Sequence, residues 1–170
     1  WIREDFINNI NSYISDIYEK ITHKGKLKVV YKSEFKGKAK ENLLKMFEKN
    51  ISREILLGKT LFGIQHDDIE FKIDNEIVKE FSSVGEQKNS IISFKLAEIK
   101  NIEAKLHRKP ILILDDLFSE LDEEKINNIL NLIDKDLQTL ITTTEINKVD
   151  KKILENAKIF HVIDGVVEEE

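Results

Sequence analysis

The sequence predicts an α/β fold: a mostly parallel sheet with flanking helices, preceded by an amino-terminal α-helical segment. The first observation is the run ILIL at residues 111–114, directly after the only proline, Pro110. A short unbroken apolar run is typical of a strand buried on both faces under helices. The second is the alternation of strand and helix patterns after Pro110, which favours an α/β sheet. The third is the composition, 41% hydrophobic and 35% charged, which is typical of a globular protein with much charged helix surface.

The amino-terminal third carries two helix patterns and one strand pattern. Between residues 2 and 21 apolar side chains recur every three or four positions, which predicts one amphipathic helix that ends before Gly25. The sequence LKVVY at 27–31 predicts a strand. Residues 39–57 predict a second helix, ended by Gly58. The apolar face of that helix consists of Leu44, Phe47, Ile51 and Ile55.

The middle and the end of the chain predict the remaining elements. Residues 69–73 alternate apolar and polar side chains, as in an antiparallel strand with one face in water, and residues 74–75 are a turn signal before 77–78. Residues 86–106 predict a long helix. Its buried stripe is Ile92, Leu96, Ile99, Ile102 and Leu106. Asp122 is predicted to cap the next helix, and a strand at 139–142, a short helix at 151–157 and a hairpin around residues 164–165 follow.

Two neighbouring carboxylates, Asp115 and Asp116, stand where the ILIL strand ends. In open α/β sheets, ligands bind beyond the carboxyl ends of the strands. Adjacent acids are costly to hold together unless a cation or water chain uses them, so this position suits Mg²⁺ and a nucleotide phosphate. Aspartate also favours turns and helix caps. On these residues alone, both interpretations stay open.

The composition narrows the protein class. The chain has no cysteine, so it has neither disulfides nor thiolate metal sites, which suits a cytoplasmic protein. It carries no apolar run long enough for a membrane span and no secretory leader pattern. The first residue is tryptophan rather than methionine, so we expect a piece of a longer protein.

The charge distribution is uneven. The net charge of −5 argues against a uniformly basic nucleic-acid binder, yet eight lysines and a single acid, Glu34, lie between residues 20 and 40. Such a patch can steer a polyanion to one face of an acidic protein, or it can be a solvated hairpin. If it binds DNA, the candidate residues are Lys24, Lys26, Lys28, Lys36 and Lys38.

The sequence SVGEQ at 83–87, one helix before ILILDD, completes a set of motifs. Together they resemble the carboxyl-terminal half of an ABC-type ATPase head, and specifically the RecF family. The resemblance assigns a Walker B to 111–116, with Asp115 holding Mg²⁺ through water and Asp116 as the catalytic carboxylate. It assigns the ATP-binding signature of the opposite subunit to Ser83, Gly85, Glu86 and Gln87, with Glu86 replacing the family's usual glutamine. It assigns the D-loop to Ser119, Leu121 and Asp122, and the γ-phosphate switch to Thr143 or Thr144.

One further motif supports the resemblance, and another shows which part of an ATPase head the sequence lacks. The sequence GIQHDD at 63–68 resembles the family's GPHRDD and keeps its glycine and both aspartates. The sequence GKT at 58–60 spells the end of a P-loop, but it follows a predicted helix rather than a strand and lacks the companion glycine. The chain therefore has no Walker A, and we expect it not to bind ATP tightly or hydrolyse it without a missing amino-terminal lobe.

The resemblance implies a function for the whole protein. It implies a homodimer that forms around ATP and Mg²⁺, binds DNA at gaps and single–double-strand junctions, and loads recombinase with RecO and RecR in repair, replication and the SOS response. It implies a helical arm over residues 1–60 and an ATPase lobe over 61–170. Two alternatives remain: the ATPase head of another ABC- or SMC-like repair protein, or a non-enzymatic module that binds DNA or a partner through the lysines.

Overall fold

The structure, a computed structural model, describes residues 2–35, 40–116 and 121–169. The helices in these ranges are α1 (Ile2–Asn11), α2 (Ile14–Thr22), α3 (Lys40–Leu57), α4 (Val78–Phe81), α5 (Val84–Leu106), α6 (Glu123–Leu132) and α7 (Lys151–Leu154). The strands are β1 (Leu27–Lys32), β2 (Asp68–Ile73), β3 (Glu76–Ile77), β4 (Leu112–Leu114), β5 (Thr139–Ile141), β6 (Phe160–Ile163) and β7 (Val166–Glu169). Single 3₁₀ turns occur at Ile64–His66 and Ile146–Lys148.

The strands form three small sheets, of which the parallel one contains the ILIL motif. β1, β2 and β3 pair antiparallel, β4 and β5 pair parallel, and β6 and β7 form an antiparallel hairpin. The expectation of a mostly parallel sheet thus holds for β4 and β5 only. Two-residue turns make the β2–β3 and β6–β7 pairings antiparallel: residues 74 and 75 have φ of 48° and 78°, and residues 164 and 165 have φ of 49° and 81°. β1 also pairs antiparallel with β2, although a long segment of the chain separates them.

The main core lies between α1, α2, α5 and the β1–β2 pair. Ile10, Ile14 and Ile21 of the first two helices have no exposed surface. In α5, Ile92 and Leu96 are buried as predicted, but Leu106 in the last turn is 64% exposed. Because the amino-terminal elements share this core with α5 and β2, the predicted arm and lobe are packed together; their division at residue 60 stays a prediction.

The prediction of one helix over residues 2–21 is wrong. The chain turns at residues 12–13, between α1 and α2. The Asn11 amide donates to the Val29 carbonyl and accepts the Val29 N–H, both at 2.8 Å, and the Ser12 hydroxyl donates to the Asn9 carbonyl at 2.6 Å. Hydrogen bonds from these side chains to the backbone, one of them to the distant Val29, compete with helical ones, so the apolar period continues across the break while the backbone does not.

Two apolar surfaces remain open in the described structure. The ILIL strand was expected to be buried on both faces, but only Leu112 and Leu114 are buried, while Ile113 is 69% exposed. Its partner in the β5 register, Leu140, is exposed as well. The whole of α3 lacks buried residues, so its predicted apolar face is also uncovered.

Membrane insertion by a helix finds no support in the described residues. None of the helices there combines the length and the apolar character needed to span a bilayer.

Candidate functional site

The acid pair lies at the carboxyl-terminal tip of β4. β4 and β5 run parallel with Leu114 opposite Ile141. The Thr142 N–H extends this ladder by donating to the Leu114 carbonyl at 3.0 Å. The residues that follow both strands therefore meet at one edge of the sheet, where parallel sheets bind ligands.

Thr142 joins the two acids. Its hydroxyl donates to the Asp115 carboxylate and accepts the Asp116 backbone N–H at 3.0 Å. Asp116 has φ of 47°, in the left-handed region that aspartate and asparagine tolerate better than most residues. Both carboxylates are exposed to solvent. The turn after β4 is thus held in place by the strand beside it, with its two acids presented outward.

Thr142 is not among the residues predicted from the sequence, since the predicted switch residue is Thr143 or Thr144. The Thr143 hydroxyl instead accepts the Glu145 N–H at 2.9 Å, and Thr144 is exposed. Their predicted contact with phosphate stays a prediction. The signal that could have found Thr142 is its position, since it is the first residue after a strand that runs parallel to the one ending at Leu114.

The donor set at this tip fits Mg²⁺ that is shared with a nucleotide. Mg²⁺ in nucleotide sites is held by one or two carboxylates, several waters and the phosphates, not by an all-protein cage. Asp115 and Asp116 supply hard, exposed oxygen atoms of that kind. Across residues 2–35, 40–116 and 121–169, three metal-ligating side chains never converge on one point. A metal ion at this tip would therefore depend on the nucleotide for further ligands.

The second predicted motif, Ser83 and the residues after it, forms the start of α5. Ser83 is the N-cap, and its hydroxyl accepts the Glu86 N–H at 3.3 Å. In return, the Glu86 carboxylate accepts the Ser83 N–H and the Ser83 hydroxyl, each at 2.8 Å. This reciprocal arrangement is a capping box. The Glu86 carboxylate occupies the donors of Ser83 that the signature prediction assigns to a phosphate.

The pKa of Glu86 lies below its ordinary value of 4.5. The largest cause is the hydrogen bond from the Ser83 N–H, followed by that from the Ser83 hydroxyl, while Lys24 and Lys125 lower it further. Since the folded pKa lies below the unfolded one, the ionised carboxylate stabilises the fold above the unfolded value. This contribution is lost as the pH falls through the folded pKa.

A pH-dependent loss of stability at Glu86 follows. The difference in unfolding free energy between the parent chain and Glu86→Gln should be constant between about pH 8 and pH 6, and should shrink as the pH falls below about 4.5. Chemical unfolding at a series of pH values measures it. A difference that stays constant down to pH 3 would contradict the assigned role of the ionised carboxylate.

The Ser83 turn opens into a cleft of about 360 Å³ between α2, α5 and α6. Its lining includes the predicted residues Ser83, Gly85, Glu86, Leu121 and Lys24. Gln87 and Asp122 are not among the lining residues. Gln87 donates to the Ser82 carbonyl at 3.2 Å, Asp122 caps α6 by accepting the Lys125 N–H at 2.9 Å, and Ser119 lies outside the described residues. The acid pair is not among the residues that line this cleft.

Of the five predicted DNA-binding lysines, Lys24, Lys26 and Lys28 are exposed in the described structure, and their role stays a prediction. Lys24 lines the cleft beside Ser83. Lys28 is exposed on β1, directly opposite Lys72 of β2. Like charges in opposite positions are unfavourable, and here the Glu70 carboxylate balances Lys72 at 3.4 Å. Lys36 and Lys38 lie outside the described residues.

The GIQHDD segment at residues 63–68 lies in a different region, where Asp67 forms a hydrogen-bond network. Asp67 accepts from the Arg3 guanidinium at 3.2 Å and from the Tyr31 hydroxyl, and Arg3 also donates to the Ile64 carbonyl at 2.8 Å. Desolvation raises the pKa of Asp67 and is the largest single effect. Hydrogen bonds from Ser33 and Tyr31 and the charge of Arg3 together outweigh it, so the pKa lies below its ordinary value. This network borders an apolar cavity of about 390 Å³. Within the network, Arg3 of α1 forms an ion pair with Asp67.

Comparison with known proteins shows which proteins the chain resembles. No protein-family model matches the chain. The chain is 33% identical over 176 residues to the DNA replication and repair protein RecF of Ligilactobacillus salivarius, a match that covers 99% of this chain and 46% of that protein. It is 34% identical over 174 residues to RecF of Bacillus cereus, covering 98% and 46%. The chain is similar to RecF over nearly its whole length. It spans about half the length of the curated RecF proteins it matches, and its predicted resemblance to a RecF carboxyl-terminal fragment is confirmed.

Solved structures confirm the predicted fold class. The structure of the recombination mediator protein RecF-ATPrS in the RecFOR pathway matches with a TM-score of 0.74 at 23% identity, covering 99% of this chain and 45% of that one. A structure from work on ATP-driven dimerisation and DNA-stimulated activation of SMC ATPases matches with a TM-score of 0.59 at 18% identity, covering 99% of this chain and 86% of that one. The chain thus has the fold of the carboxyl-terminal lobe of RecF and SMC-type ATPase heads.

Proposed function

We propose that this chain is the part of a RecF-type DNA-repair ATPase that supplies the Walker B acids to one nucleotide and the signature turn to another. The observation that carries the proposal is the acid pair at the tip of β4, held by the Thr142 hydroxyl with both carboxylates exposed. The RecF relatives are named as DNA replication and repair proteins, and RecF is solved with ATP. They support ATP as the nucleotide.

The two acids would divide the chemistry between them. The Asp115 carboxylate would hold Mg²⁺ through water, and that ion would neutralise charge on the phosphates. The Asp116 carboxylate would orient and polarise the attacking water, the role of the catalytic base in phosphoryl transfer. Thr142 contacts both residues and would keep their turn in register with β5. It is a positioning residue in this scheme.

The Ser83 turn would serve a nucleotide that a second copy of the protein carries. A serine hydroxyl and free N–H groups at a helix start bind anions, because the helix dipole adds to the hydrogen bonds. Here α5 has 23 residues and begins in an open cleft. The Leu121 end of the proposed D-loop lines the same cleft. We therefore propose an ATP-dependent homodimer with the cleft at its interface.

The biological setting of the proposed dimer is recombinational repair in the cytoplasm. We propose that it binds DNA at gaps or single–double-strand junctions and works with RecO- and RecR-type proteins. The support is the family itself and the naming of the RecFOR pathway in the structural relative. The exposed Lys28, opposite Lys72, gives DNA a contact on the β1–β2 face.

The decisive experiment is to supply the half that this chain does not contain. The joined protein is defined as an amino-terminal ATPase half fused before this chain, so that the whole has the length of its RecF relatives. We expect Mg²⁺-dependent, DNA-stimulated ATP hydrolysis from the joined protein and none from this chain alone, measured as phosphate release. Hydrolysis by the chain alone, or none by a folded joined protein, would contradict the proposal. DNA binding without any hydrolysis would favour a non-enzymatic module instead.

A further inference from the structure

Lys24 sits on a turn that is fixed from both sides. The Thr22 hydroxyl lies 2.9 Å from the Lys24 carbonyl and accepts the Lys24 N–H at 3.3 Å. The next residue, Gly25, has φ of 65°, and a side chain there would come within 2.8 Å of Ile73. The Lys26 N–H donates to the Asp74 carboxylate at 2.9 Å. The backbone of Lys24 is therefore held in place at the rim of the Ser83 cleft.

The charges in this cleft leave Lys24 as the available cation. Lys125 also lines the cleft, but its ammonium is paired with the Asp122 carboxylate. Lys24 lies close enough to lower the pKa of Glu86, yet it forms no close ion pair within the described ranges. Its charge acts on the Glu86 carboxylate, which the hydroxyl and N–H of Ser83 now hold. An incoming anion would therefore contact the Lys24 ammonium and the Ser83 donors together.

A second feature of the cleft is a buried side chain with an unpaired polar atom. Asn89 lines the cleft although only 1% of its surface is exposed, so it lies at the bottom. Its carbonyl oxygen is buried and accepts no hydrogen bond from the described part of the chain. Buried polar atoms are almost always paired, and leaving one unpaired is costly. The cleft thus has an unpaired acceptor at its base, which only a hydrogen-bond donor can satisfy, and a cation at its rim, which is the group that favours an anion.

We propose that Lys24 is a positioning residue for ATP-dependent pairing: its ammonium draws the terminal phosphate of a nucleotide bound by a second copy into the Ser83 turn. This inference rests on the proposed function. It moves Lys24 out of the predicted DNA-binding set, because its place in the cleft separates it from Lys28 on the β1–β2 face. The phosphate would replace the Glu86 carboxylate at the Ser83 donors, and Lys24 would balance the charge that arrives.

The test compares lysine variants of the joined protein. We expect Lys24→Gln to weaken ATP-dependent pairing about tenfold, because each dimer loses a charge-assisted contact at two sites. Sedimentation at graded ATP concentrations measures pairing. Lys24→Arg keeps the charge and should restore pairing to within about threefold of the parent. The matched control is Lys79→Gln, which removes an exposed lysine on α4 that does not line the cleft and should pair like the parent.

The outcomes separate this inference from the proposed function. Pairing of Lys24→Gln that equals that of Lys79→Gln would overturn the inference alone, as would a failure of Lys24→Arg to restore pairing. A loss of DNA affinity in Lys24→Gln without any change in pairing would also overturn it, in favour of a DNA contact. If the parent joined protein does not pair with ATP, the proposed function and this inference both fail.

Discussion

The Asp116→Asn variant of the joined protein is expected to hydrolyse ATP about 100-fold more slowly than the parent, or slower still. A positioned general base contributes about 10²–10⁴-fold to a rate, and asparagine cannot take a proton from water. Asparagine has nearly the shape of aspartate and tolerates the left-handed backbone at φ of 47°. The fold and the nucleotide affinity should therefore survive. Steady-state phosphate release measures the hydrolysis rate, and nucleotide binding on the same preparation measures the affinity.

The controls for this variant come from the same chain. Asp136→Asn removes the charge of an aspartate whose side chain is 87% exposed, and it should leave hydrolysis unchanged. Thr142→Val removes the hydroxyl that contacts both acids, and the loss of hydrogen bonds to a charged group should slow hydrolysis about tenfold. Full activity in Asp116→Asn would remove Asp116 from the mechanism. An unchanged rate in Thr142→Val would leave the hydroxyl without a positioning role.

The Ser83→Arg variant is expected to abolish ATP-dependent pairing of the joined protein. The change removes the hydroxyl that would bind phosphate and places a long side chain in a cleft of about 360 Å³. Since both halves of a symmetric dimer carry the change, the loss of anion contacts at two sites should weaken pairing by about 100-fold or more. Nucleotide binding to the monomer should persist, because the Walker B of the same copy is intact.

The matched control places the same side chain one residue further along. Val84 begins α5, is 59% exposed and does not line the cleft, so Val84→Arg should pair normally. Loss of the N-cap itself costs about 1 kcal/mol, and thermal unfolding of both variants shows whether that cost explains any change. Pairing by Ser83→Arg at the level of Val84→Arg would refute the place of Ser83 at the dimer interface.

Much of the fold could be predicted because it depends on local patterns. The alternation at β2, the two-residue turns of both hairpins and the capping box at Ser83 each arise from residues within a few positions of one another. The failures come from longer-range effects. The apolar period crosses residues 12–13 without a change, while the bond from the Asn11 amide to Val29 stops the helix there.

The sequence by itself determined which motifs the chain carries: the acids after a strand, the serine before a long helix, and the absence of a P-loop. These are properties of neighbouring residues, so they can be read without coordinates. Only the tertiary structure decided that Thr142 reaches both acids and that Lys24 shares a cleft with Ser83. Residues 24 and 83 line one cleft because α2 and α5, the helices beside them, pack in one core. Such contacts depend on how distant segments pack, which local spacing does not specify.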